Sequence, residues 1–230
     1  ISDRSLRDGD LLNREGLIEA GKVDGMGQLE TFFYDENPQS WSKVLAGALQ
    51  SFDLSRERIG VEPLQLRYLE YMLLQSAEEI TIVDGSTVIT SLRSRKEKKE
   101  VQLMQRAVEI AEDSLRSILP QIRLGMDEKE LAAELVLQLF RHGSDPSLPF
   151  DPIVAAGPNG ANPHAKPSER KLQNGDLLVI DWGARYQGYA SDLTRTYAVG
   201  DIDEESIRIH EIVQLANAAG ITAGKEGAPC

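Results

Sequence analysis

Asp181 and Asp192 stand on two runs with strand character, 176–183 and 189–199, separated by the short connection 184–188. A hairpin whose turn centres on Tyr186 and Gln187 sets Asp181 directly opposite Asp192. Opposed side chains on a hairpin lie roughly 4.5–5.5 Å apart at Cβ, where like charges repel, so carboxylates placed this way call for a cation between them. A strand aspartate can equally be a turn cap or a solvated edge position, and a turn shifted by one residue breaks the alignment. Asp181 also closes the apolar run Leu177–Ile180, the pattern of a strand buried on both faces. A charge at the end of such a strand is costly unless it is paired or coordinated. The spacing therefore reads as half of a metal site.

The three histidines differ in setting. His164 lies in a Pro- and Asn-rich loop just before the strand that bears Asp181; by itself it reads as a surface loop residue. His210 shares a helical stripe with Ile207 and Val213 and reads as a helix residue, partly buried or on the surface. His142 falls in the last turn of a helix, where a cation complements the helix dipole. Other chemistries lack their residues: there is no P-loop lysine, no Gly-x-Ser-x-Gly elbow and no CxxC pair. The glycines of 157–160 do not open a helix, which argues against a phosphate cradle.

The elements that must position these residues fall into two parts. Residues 1 to about 92 read as a small α/β unit. It has a strand over 30–34, a helix opened by Pro38 with Trp41, Leu45 and Leu49 on one stripe, and a short strand at 59–61. A second helix follows over 63–75, with Leu66, Leu69 and Leu73 as its stripe. Residues 80–84 and 87–90, flanking Gly85-Ser86, read as a hairpin, and Phe32 and Phe33 as core. The basic stretch Arg93 to Lys99 reads as a solvated linker between domains.

Beyond it a long amphipathic helix over 97–118 carries Val101, Met104, Val108, Ala111, Leu115 and Ile118 at three- and four-residue spacing. Asp127 reads as an N-cap with Glu130 as its capping-box partner, for a helix that buries Leu131, Leu135 and Leu139 and stops at Gly143. A short strand at 153–156 enters a long loop. The pair of Asp-bearing strands comes next, then a helix over 204–219 with Ile209, Ile212, Val213 and Ala216 inward.

A formal net charge of −12 argues against nucleic acid as a partner, because phosphate binding needs a basic face. No apolar run approaches the length of a membrane span. The single cysteine, Cys230, excludes an internal disulfide framework and fits a reducing compartment, with the cytoplasm as the default.

The linked segments 150–165, 170–176 and the two Asp-bearing strands, with Ile180-Asp-Trp-Gly183 and Ser191-Asp-Leu-Thr-Arg-Thr196, strongly resemble the pita-bread metallopeptidase family, in its Xaa-Pro aminopeptidase and Xaa-Pro dipeptidase (prolidase) branch. Several motifs in the right order are far more specific than one. The resemblance covers residues from about 97 to 230 well, and the preceding segment more loosely. It implies an α+β architecture: a partial creatinase-like N-terminal unit over 1–92, a linker at 93–99, and the N-terminal part of a pita-bread catalytic domain over 100–230. It further implies that Asp181 and Asp192 are metal ligands, one serving a single ion and the other bridging two, with manganese favoured and cobalt or zinc as alternatives. His164 takes a catalytic part beside the metals, hydrogen-bonding substrate or the tetrahedral intermediate, without being a ligand. Proline-containing peptides are the implied substrates and a homodimer the implied assembly. In the family one histidine and two glutamates on later strands complete the ligand set, and this sequence offers none there. The expectation is that the natural chain begins tens of residues earlier and continues past Cys230, and that these 230 residues alone are inactive. The competing reading is a non-catalytic pita-bread binding protein, or a metal-free hydrolase of the creatinase type. Retention of both aspartates speaks against it.

Overall fold

The computed structural model describes residues 32–34, 36–54, 56–77 and 80–228. The chain separates into two compact units, Ile1–Lys96 and Glu97–Cys230. In the first, helix α1 (Pro38–Ser51) starts with Pro in its opening turn, and the side chain of Asn37 accepts from the Gln39 N–H at 3.2 Å. Of the strand expected over 30–34, residues 30 and 31 lie outside the described residues and Phe32–Tyr34 carry no strand pairing. Phe32 meets Phe52 edge-on, with centroids 5.9 Å apart, whereas Phe33 is exposed and not core. Strand β1 (Arg58–Val61) forms as the sequence suggests. Helix α2 spans Tyr68–Gln75 rather than starting at Pro63; at its entry the Glu70 carboxylate accepts from the Arg67 N–H at 2.9 Å and from Arg67 Nε at 2.7 Å.

The hairpin expected over 80–90 is not formed. Strand β2 (Thr81–Asp84) pairs parallel with β1, and the residues after it form helix α3 (Ser86–Ser94). The β-branched run Thr87-Val-Ile-Thr90 suggested a strand, but two local contacts override that propensity. Asp84 Oδ1 accepts from the Ser86 N–H at 2.8 Å and starts the helix. Gly85, at φ −99°, lacks the positive φ of a tight hairpin turn. Its N–H instead donates to the Val61 carbonyl at 2.8 Å, extending the parallel pairing.

In the second unit, α4 (Lys98–Ile118) and α5 (Glu128–Arg141) pack on each other and on one face of an antiparallel sheet of strands β3 (Ile153–Ala156), β4 (Asp176–Trp182) and β7 (Leu193–Val199), in the order β3-β4-β7. A small second pairing, β5 (Arg185–Tyr186) with β6 (Tyr189–Ala190), forms the tip of the β4–β7 hairpin. Asp127 caps α5, accepting from the Glu130 N–H at 2.8 Å; the Glu130 carboxylate is occupied by Arg123 and does not close the expected box. Gly143 ends the segment at φ +99°, a conformation in which a Cβ is strained.

The core gathers Ile110, Leu115 and Ile118 of α4, Leu131, Leu135 and Leu139 of α5, and Leu178, Ile180 and Trp182 of β4. Burial along β4 alternates: the even-numbered residues are buried, and Leu177, Val179 and Asp181 are only half-buried. The strand is thus sandwiched on one face, not two as its apolar run suggested. Helix α6 (Glu204–Ala223), capped by Asp203, also departs from expectation: Ile209, Ile212 and Val213 are exposed, not inward. No described element packs over that stripe. No helix among the described residues is long and apolar enough to cross a membrane.

A Cβ on Gly85 would meet Gly60 backbone atoms at 3.0 Å and the Val61 nitrogen at 3.1 Å. Its φ suits alanine, so Gly85→Ala tests the contact alone. The expected cost is about 1–3 kcal/mol, the scale of an overpacked site. A urea-unfolding midpoint unchanged from the natural protein would contradict the parallel β1–β2 pairing.

Candidate metal centre

The two candidate carboxylates are held by a hairpin that hangs on helix α4. Three ties along one stripe of that helix fix it. The Tyr189 hydroxyl donates to Glu100 Oε1 at 2.7 Å, the Ser191 hydroxyl to the Ala107 carbonyl at 3.1 Å, and the Trp182 indole N–H to the Ala111 carbonyl at 2.9 Å. Residues 100, 107 and 111 recur at spacings of seven and four, which keeps them on one helix face. Trp182 and Ser191 are each the immediate neighbour of a candidate ligand. Successive strand residues point to opposite faces, so burying Trp182 against the helix turns Asp181 to the far side of the sheet. Ser191 is buried in the same way, and Asp192 beside it is exposed.

The two strands approach closely between these ties. A Cβ on Gly183 would lie 2.1 Å from the Ser191 carbonyl oxygen, so only glycine fits there. Ala184 N–H donates to Ser191 Oγ at 3.0 Å, and Ser191 N–H to the Ala184 carbonyl at 2.9 Å. The sequences Asp181-Trp-Gly183 and Ser191-Asp192 thus combine two outward carboxylates, two inward ties and one gap for backbone contact.

Asp181 and Asp192 are not directly opposed. The register pairs Asp181 with Thr194 and Trp182 with Leu193, and the turn accordingly centres on Gln187 and Gly188, one residue further along than expected. Both residues have positive φ, +48° and +85°, the requirement of the tight two-residue turn whose twist suits a hairpin. Moving the turn by one residue moves the register by two. That shift leaves Asp192, in the break between β6 and β7, two residues before the Thr194 partner of Asp181 and near enough for its charge to act on Asp181.

The electrostatics agree with this proximity. Burial pushes the Asp181 carboxyl above the usual carboxylate range and the Asp192 charge pushes it the same way, against a hydrogen bond donated by Thr194 Oγ1 at 3.0 Å. Asp192 makes no hydrogen bond to the described residues. Asp176, on the same strand, has the opposite environment: a two-pronged bond from Arg170, at 2.7 Å to each oxygen, outweighs burial and holds it below the usual range.

His164 occupies an exposed turn. Its N–H donates to Asn162 Oδ1 at 2.9 Å, the Ala165 N–H closes on the Asn162 carbonyl at 3.1 Å, and no hydrogen bond or ion pair joins its ring to either aspartate. The sheet therefore brings Asp181 and Asp192 together, while His164 stands on a separate loop. His142 caps α5 and meets Ser117 Oγ at 2.9 Å; His210 is exposed beside Gln214. Cys230 lies outside the described residues.

Two neighbouring carboxylates fit the oxygen-donor part of a divalent-cation site. Among the described residues no third His, Cys, Asp or Glu joins them at metal-holding distance. One residue that the sequence did not single out is Glu128. It is fully buried, and its carboxylate accepts from both ends of the His164 loop.

This is the architecture of the pita-bread metallopeptidases. Residues 102–230 match metallopeptidase family M24, and the chain belongs to that family. It is 34% identical to the Xaa-Pro dipeptidase of Pyrococcus furiosus over 175 residues, covering 74% of this chain and 49% of that protein. Among solved structures it resembles the Xaa-Pro dipeptidase from Bacillus anthracis with a TM-score of 0.72 and 33% identity, covering 79% of this chain and 51% of that one. The X-Pro aminopeptidase from Thermotoga maritima superimposes with a TM-score of 0.75 and 27% identity, covering 93% of this chain and 58% of that one. The chain thus spans about half the length of the relatives it matches.

Two outcomes test this geometry. Ser191→Ala leaves the buried Ala184 N–H without its acceptor and should destabilise the protein by about 1–3 kcal/mol in urea unfolding. Asp181→Asn should raise the melting temperature of the metal-free protein at pH 7. An acid whose folded pKa lies above its unfolded one destabilises increasingly as pH rises past the unfolded value, about 3.9 for aspartate. The advantage of Asp181→Asn should therefore vanish in acid below that value, and a mutant less stable than the natural protein at pH 7 would contradict the repulsion.

Proposed function

We propose that the full-length protein bearing this sequence hydrolyses Xaa-Pro bonds, either at the N-terminus of peptides or in Xaa-Pro dipeptides. The observation that carries the reading is the pair Asp181 and Asp192, with the Asp192 charge near enough to push the Asp181 carboxyl up, in an M24 chain. In this reading the two aspartates would supply part of the ligand set for two divalent ions, manganese by preference and cobalt or zinc as alternatives. When bound, the ions supply Lewis-acid polarisation of the scissile carbonyl and an activated water. The residues of this chain have three tasks. Asp181 and Asp192 give up their mutual repulsion on binding a cation; Thr194 orients Asp181; and His164 donates a hydrogen bond to the oxyanion that develops on the substrate carbonyl. Two carboxylates are too few to hold two ions, so we propose that residues 1–230 alone are inactive. Both dipeptidases and aminopeptidases occur among the relatives, and the choice rests on comparing an Xaa-Pro dipeptide with a longer Xaa-Pro peptide as substrate. A cytoplasmic homodimer is the proposed setting.

The division of roles is open to a direct check in the full-length protein. Asp192→Asn keeps shape but removes the charge that offsets a divalent ion, and should nearly abolish Xaa-Pro hydrolysis with little loss of fold. His164→Ala should keep its metal content and lower turnover by about a hundredfold, the scale of losing one oxyanion donor. Metal loss in His164→Ala would refute that division, and full activity in both mutants would refute the peptidase reading.

A further inference from the structure

We propose that Glu128 is a positioning residue for His164, acting as a buried clasp that closes the loop 157–168 on which the imidazole stands. This inference rests on the catalytic part proposed for His164.

Glu128 is the first residue of α5 and is fully buried. Its Oε1 accepts from the Ala156 N–H at 2.8 Å and from Asn159 Nδ2 at 3.0 Å, at the entry to the loop. Its Oε2 accepts from the Ser168 N–H at 3.0 Å and the Ser168 hydroxyl at 2.7 Å, at the exit, and from Asn159 Nδ2 at 3.0 Å. One carboxylate therefore joins the two ends of a loop whose middle carries His164. The backbone reinforces the closure, since the Lys129 N–H donates to the Ser168 carbonyl and the Glu128 N–H to the Arg170 carbonyl, both at 3.1 Å.

Every group that faces this carboxylate is a donor, so charge rather than shape is what the position requires. Burial alone raises the Glu128 pKa, yet the bonds from Ser168, Ala156 and Asn159 outweigh it and hold the carboxyl below the usual range. A glutamine would turn an NH2 toward N–H and O–H donors and leave buried groups unpaired.

The loop needs such a clasp because His164 has little else to hold it. It is exposed, and its ring makes no hydrogen bond to the described residues, so its placement comes from the backbone alone. A misplacement of about 1 Å at a catalytic group can cost about a hundredfold in rate.

The test uses the full-length protein carrying Glu128→Gln, His164→Ala and both together. We expect Glu128→Gln to retain metal and to lower kcat by about 10- to 100-fold with KM little changed. It should add nothing further in the His164→Ala background. Amides of 157–168 should exchange hydrogen at least about tenfold faster, with α4 and β4 unchanged. Multiplicative losses in the double mutant, or unaltered loop exchange, would overturn the proposal. If the natural protein cleaves no Xaa-Pro bond, the functional reading fails separately. The exchange measurement then decides the clasp by itself: faster exchange confined to the loop supports it, and unchanged or global exchange overturns it. Should Glu128→Gln not fold, Ser168→Ala removes one donor from the same carboxylate and should give the same pattern with smaller amplitude.

Discussion

The suspension of one hairpin from one helix is the constraint on which the rest of the second unit depends. Trp182, Ser191 and Tyr189 reach α4 carbonyl and carboxylate groups on a single stripe. Because strand side chains alternate, each inward tie also specifies an outward neighbour. The acidic pair is therefore placed by residues that take no part in its chemistry. The helix must contribute small residues where the hairpin lies against it, and Ala107 and Ala111 are fully buried there. Side chains larger than these would lift the hairpin and weaken all three ties.

Three carboxylates in this unit show how the same group is put to different uses by its surroundings. Asp176 has a guanidinium and Glu128 has five hydrogen bonds from donors; both carry their charge comfortably although buried. Asp181 has one hydroxyl donor and a neighbouring negative charge, and its ionised form is disfavoured. Groups that serve structure have their charge satisfied within the fold. A group left unsatisfied beside a like charge is the one suited to an external cation.

Much of this was legible in the sequence. Three- and four-residue apolar spacing located α4 and α5, and Asp127 announced the start of α5. The acidic pair stood out because the motifs around it are local. What was not legible depends on contacts distant in sequence or on turn geometry. The turn fell on Gln187-Gly188, and glutamine gives no warning that it will adopt positive φ. The run 87–90 has strand propensity, but Asp84 and the close Gly60–Gly85 approach commit it to a helix. Glu128 reads locally as an acidic first-turn residue complementing the helix dipole, and its partners Asn159 and Ser168 lie 31 and 40 residues away. The stripe of α6 has helical period but no described element to receive it, and periodicity alone does not say what covers a helix.

The ties to α4 also decide where this chain can change length. They hold the register from inside the hairpin, so the Gln187-Gly188 turn, which lies beyond all three, is relieved of that duty. Extra residues inserted at the turn would lengthen an outer loop and leave the Asp181–Thr194 pairing as it is. One residue inserted between Gly183 and the turn, or between the turn and Ser191, would force a bulge or slip one strand, bringing a carboxylate against the helix and a hydroxyl to solvent. The tip of the hairpin is thus the natural place to graft a foreign peptide or reporter sequence, and the few residues on either side of it are among the least forgiving in the chain.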